Sequence, residues 1–155
     1  MLATMLLLTT CMAVGQSQGE KAFRAYTDFA VGGTWVATVE GVKIELCYTR
    51  IADSPFVQAT CKGNPLPFVC MIGIDPETKA CTFWFFNNDG GIGKDVLTQE
   101  SDKVFLLEGS GVGPKGKVHY KGRITQVDKN TVKEEVLQFV IGDEDLGQRT
   151  VIWKR

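Results

Sequence analysis

GSGVGPKGKVHYKGRITQV, residues 109–127, can be taken either as a phosphate loop running into a helix or as a hairpin between two strands. Gly111, Gly116 and Lys117 stand at the G-x-x-x-x-G-K spacing of a phosphate-cradling loop, but the next position, where a Ser or Thr hydroxyl should reach magnesium, is Val118. Such a loop works because it opens onto a helix N-terminus, whose free N–H groups and dipole face the anion. Here the glycines lead instead into KVHYKGRITQV, which alternates in polarity and carries a glycine, so a strand comes next. GVGPKG is therefore a glycine-rich hairpin turn between two strands, and the nucleotide reading falls away.

The same grammar runs outward in both directions. Runs rich in Val, Ile, Thr and aromatics recur at intervals of about ten residues. Between them lie the turn sequences ADSP, KGNPLP, DPETK, NNDGG, ESDK, VDKNT and IGDEDLGQ. Strands are expected at 34–40, 42–52, 56–62, 67–74, 80–87, 92–99, 103–109, 117–127, 131–141 and 149–155, nine or ten in all. One short amphipathic helix precedes them, because Phe23, Tyr26 and Ala30 share a face within Glu20–Val31. The pattern is all-β and antiparallel, a barrel or a sandwich. At 155 residues the chain has room for one such domain, expected over 20–155.

Composition narrows the function classes. Seventeen basic against eighteen acidic residues give a net charge of −1, with no overall field to gather nucleic acid or an anionic membrane. The single histidine, His119, excludes multi-histidine metal sites. No G-x-S-x-G elbow is present, most Asp and Glu fall in turns, and no cofactor is expected. Residues 1–19 read as a secretory signal with a flexible N-terminus: an apolar run from Leu2 to Val14 ends in the small residues Ala13 and Gly15. The run is too short for a membrane span, so the protein is expected to be exported, periplasmic or secreted.

VGGTWVATVEG, residues 31–41, sets Gly33 two positions before Trp35 where the helix gives way to the first strand. This resembles the G-x-W signature of lipocalins and the wider calycin group. The resemblance implies a single up-and-down barrel in which Trp35 closes one end beneath a basic side chain of the last strand. The chain ends VIWKR, so Arg155 or Lys154 is available for that contact, and Gly33, Trp35 and Arg155 are the expected barrel closure. IGIDPETKACTFWFFNNDGGIGKDVLTQE is similar to a stretch of uncharacterised bacterial lipocalin-like modules, also found attached to SnoaL-like domains, with the positions Ile72, Gly73, Asp75, Pro76, Trp84, Phe86, Asn87, Asp89, Gly90, Gly91 and Gly93. The likeness covers most of residues 29–155. It carries no established activity.

If Trp35 points inward, alternation sends Ala37 and Val39 inward as well, then Ile44, Leu46 and Tyr48, then Val57, Ala59 and Cys61. Continuing round brings in Cys70 and Ile72, followed by Trp84 and Phe86. The expected cavity wall is accordingly Trp35, Leu46, Tyr48, Trp84 and Phe86, around a small apolar molecule; a barrel filled by its own side chains is the alternative. Phe83 and Phe85, with Cys81, would then face outward and need a cover, either the helix or a second copy in a homodimer. In an oxidising compartment Cys61 and Cys70 are the only pair this register brings together, the alternative being buried free thiols. NNDGG reads as a tight turn, and Lys117, His119, Lys121 and Arg123 as one solvated face.

Overall fold

The computed structural model describes residues 16–63 and 67–155; the expected signal segment and Cys11 lie outside the described residues. The first helix, α1 (Gln18–Ala30), starts two residues earlier than the apolar periodicity suggests. Ser17 caps it: its side chain accepts from the Glu20 backbone N–H, and Glu20 reaches back to the Ser17 N–H, closing both donors in a capping box.

Eleven strands come after it among the described residues: β1 (Thr34–Val39), β2 (Val42–Arg50), β3 (Val57–Lys62), β4 (Phe68–Ile74), β5 (Cys81–Asn87), β6 (Ile92–Ser101), β7 (Val104–Gly113), β8 (Gly116–Asp128), β9 (Thr131–Ile141), the two-residue β10 (Glu144–Asp145) and β11 (Arg149–Lys154). Every pairing is antiparallel, and consecutive strands from β1 to β9 are neighbours. Because β9 pairs with β11 and β11 with β1, the sheet closes into a barrel of ten strands, with β10 as a short flap on β9. Closure removes the free edges that an open sheet of this size would present. GVGPKG is the hairpin turn between β7 and β8. Gly113 pairs with Gly116 across a two-residue turn, and Gly116 adopts a φ of 114° that a side chain would oppose.

Cross-strand partners show where the inside is. Leu46 lies opposite Trp35, Ala59 opposite Tyr48, and Cys70 opposite Ala59, all facing the interior. In the hairpin between β4 and β5, however, the Asp75 N–H donates to the Ala80 carbonyl, leaving four residues in the turn. Even-numbered residues of β4 then oppose odd-numbered residues of β5: Ile72 meets Phe83, and Cys70 meets Phe85. This corrects the expected facing of the fifth strand. Phe83 (3 % exposed), Phe85 and Cys81 lie inside, whereas Trp84 and Phe86 (50 % exposed) lie outside. The turn itself is firmly held, since Asp75 accepts from the Glu77 and Thr78 N–H groups and from Lys94 Nζ at 2.6 Å. Lys94 and those two N–H groups hold the Asp75 carboxyl well below the ordinary range.

Candidate functional site

The two ends of the barrel differ. At one, α1 lies across the opening and Tyr26 reaches into the core, meeting Phe29, Tyr48, Phe83 and Phe105 edge-on at centroid distances of 5.1–5.9 Å. Trp35 anchors the helix end by donating from Nε1 to the Ala30 carbonyl at 2.9 Å. Over its ring lies the Arg155 guanidinium, 4.3 Å from the centroid, which also donates to the carbonyls of Val31, Phe29 and Lys129. Gly33 makes room for this arrangement, because a Cβ there would overlap the Arg155 chain. A cavity of about 20 Å³ remains between Tyr26, Trp35, Leu46, Tyr48 and Trp153, room for about one water. This half of the interior is filled.

The other end, where the β1–β2, β3–β4, β5–β6 and β7–β8 turns gather, carries no helix among the described residues. Inner-face side chains there are only partly buried: Val39, Ile44, Phe68, Phe85, Val118 and Phe139. Phe68 and Phe85 meet edge-on at 5.3 Å, and Tyr120 and Phe139 at 6.0 Å, so the rim is aromatic on two sides. On β6 and β7 the matching inner positions are Gly93 and Gly111, which leave bare backbone between those walls.

Beneath them the interior turns polar. Tyr26 and Tyr48 share a hydrogen bond at 2.7 Å. Glu134 accepts from Tyr120 Oη at 2.6 Å and from Trp153 Nε1 at 2.8 Å. Burial raises the phenols of Tyr26, Tyr48 and Tyr120, so all three stay protonated donors. Asp95 stands apart. It lies on the inner face between Phe83 of β5 and Gly109 of β7, is 6 % exposed, and makes no hydrogen bond or ion pair to a described residue. Burial alone pushes its carboxyl up to about 7.

Of the residues singled out from sequence, Trp35, Leu46 and Tyr48 come together around the small cavity. Trp84 and Phe86 are not part of it. Trp84 instead packs against Phe56 on the outer surface, centroids 6.4 Å apart. Phe86 heads a row of cross-strand partners there: Val69, Phe86, Ile92 and Val112, the last two 60 % and 59 % exposed. Phe83 and Phe85 belong to the interior and cannot form an outer contact face. Cys47, Cys61, Cys70 and Cys81 are all free thiols; Cys61 stands opposite Phe68 and Cys70 opposite Ala59, two residues out of register for a bridge. Burial pushes Cys61 up to about 11 and Cys81 to about 12, so these thiols stay protonated. On the outer face of β8, Lys121 pairs with Glu108 and Arg123 with Glu100, each at 3.1 Å, which neutralises half of the basic stripe. Sequence reasoning missed Asp95, Tyr120 and Glu134, although Gly93, Asp95 and Leu97 share one face of β6 by simple alternation.

No model of a known protein family matches the chain, and neither does any curated protein.

Proposed function

We propose that this is an exported lipocalin-like binding module that takes up a small, largely apolar molecule through the barrel end opposite α1. The observation that carries the reading is the contrast between the two ends: one sealed by Tyr26, Trp35 and Arg155, the other lined by partly buried Phe68, Phe85 and Phe139 over a polar floor. Apolar walls with a few placed polar groups are what small-molecule sites are made of. The Gly33, Trp35 and Arg155 arrangement supports the calycin resemblance, and the apolar run from Leu2 to Val14 supports export.

A second reading rests on the outer row of Val69, Phe86, Ile92 and Val112, an apolar strip across four strands that would suit pairing with a second copy of the chain. Titration with the neutral fluorophore N-phenyl-1-naphthylamine separates the two. Uptake should be saturable, lost in Phe85→Arg and kept in Phe86→Arg. Equal uptake by both variants, or loss only in Phe86→Arg, overturns the interior site.

A further inference from the structure

Among the described residues, Asp95 is the one buried carboxylate of the barrel interior that the fold leaves without a protein donor. Glu134, its nearest chemical counterpart, is satisfied twice over by Tyr120 and Trp153. Buried acids without partners are rare in folded proteins because the unpaired group forfeits hydration and gains nothing in return. The surroundings nevertheless make room for this one. A Cβ at Gly109 would overlap the Lys94 carbonyl and the Asp95 Cα as well as Oδ1 of Asp95, so the close approach of β6 and β7 requires glycine there and the carboxylate lies over its bare backbone. Toward the rim the neighbouring inner positions of β6 and β7 are Gly93 and Gly111, so no side chain from either strand covers the acid. Gly91, four residues from Asp95, ends the β5–β6 turn, which places the carboxylate roughly 10 Å below the rim at the rise of a tilted strand.

Other interior groups cannot serve in a ligand's place. Tyr120 is committed to Glu134, the Cys70 thiol is oriented toward the Met71 carbonyl, and no described Lys or Arg side chain is bonded to the acid. Phe83 is its direct cross-strand neighbour and Phe85 stands one inner position nearer the rim, so the approach to Asp95 runs past aromatic surfaces, which favour a cation over a neutral group of the same size. The Arg149 guanidinium lies over the Phe139 ring, 5.4 Å from its centroid, so that wall is already covered by a cation. On the footing that the open end takes up a ligand, we propose that Asp95 is the anchor for the ammonium group of a lipophilic amine, whose apolar tail lies along Phe68 and Phe85.

Isothermal titration of the whole folded chain at pH 8.5 with n-octylamine, 1-octanol and octanoate tests this. A charge-assisted bond in a desolvated site should favour the amine over the alcohol by roughly tenfold or more, with octanoate weakest. Asp95→Asn should bring amine and alcohol to within about twofold of each other while leaving the alcohol's affinity in place. That variant is expected to gain stability, so a lost preference is not a lost fold. Equal affinity of the wild-type chain for amine and alcohol overturns the anchor while leaving uptake standing. Should none of the three bind, and the naphthylamine fluorophore fail as well, the uptake reading itself is refuted and the anchor with it.

Discussion

Removing the charge of Asp95 should stabilise this protein, and by an amount that depends on pH in a defined direction. The carboxyl is raised from its ordinary value of 3.8 to about 7 by burial alone. The folded state therefore holds its proton through a range, from about pH 4 to pH 7, in which the unfolded chain has already released it. Between those limits the native state binds more protons, so stability falls as pH rises, the opposite of the usual behaviour of a paired acid. At about 1.4 kcal/mol for each tenfold change in proton affinity, the charge costs roughly 4 kcal/mol at pH 8, and almost nothing at pH 4. Asp95→Asn removes the charge at nearly constant volume and exchanges one neutral buried polar group for another of similar desolvation cost. The net gain expected at pH 8 is then about 3–4 kcal/mol, shrinking toward zero at pH 4. Urea unfolding of both chains at pH 4.5, 6 and 8, followed by tryptophan fluorescence, measures it. A stability difference that stays flat across these pH values would show that Asp95 is hydrated or paired in solution, and the buried, partnerless carboxylate would be refuted.

Other contacts lead to three more expected outcomes. Tyr26→Phe strips the Tyr48 hydroxyl of its partner in the core and should cost about 1–3 kcal/mol in urea unfolding, whereas Tyr26→Phe combined with Tyr48→Phe should cost less than the sum of the two single changes. Arg155→Ala removes the cation over Trp35 and three hydrogen bonds to the helix exit and the β8–β9 turn; a loss of about 2 kcal/mol is expected, with a red shift in Trp35 emission. Phe86→Asp should leave unfolding within about 0.5 kcal/mol, because its ring is half exposed, and any dimer seen by analytical ultracentrifugation should disappear in this variant.

Most of the architecture is legible in the sequence because closed antiparallel barrels are written locally, as short strands separated by turn chemistry. The hairpin at Gly113–Gly116 and the inward faces of β1 to β4 follow from alternation and even-length turns. The fifth strand is where that reasoning breaks. Cys81, Phe83 and Phe85 are as apolar as Trp84 and Phe86, so polarity gives no vote on which set faces in, and the decision passes to the DPETK turn. Counting its four residues between Asp75 and Ala80 would have placed Phe83 inside. Ser17 and Glu20 at the capping-box spacing also mark the true start of α1 ahead of its first apolar residue. The polar floor was the least legible part. Asp95 is separated from Glu134 and Tyr120 by whole strands, and only the ring closure through β8, β9 and β11 puts them inside one barrel. The glycines at 93, 109 and 111 form the inner face beside the acid, and alternation alone does not mark a glycine as facing inward.

Native mass spectrometry of the folded chain separates an occupied barrel from a module that works through its outer face. An occupied barrel predicts a discrete excess mass that disappears on denaturation, is absent from Phe85→Arg, and persists in Phe86→Arg. A chain that is bare in all three forms, above all a bare dimer that only Phe86→Arg dissociates, would contradict the binding module and assign the function to the outer face.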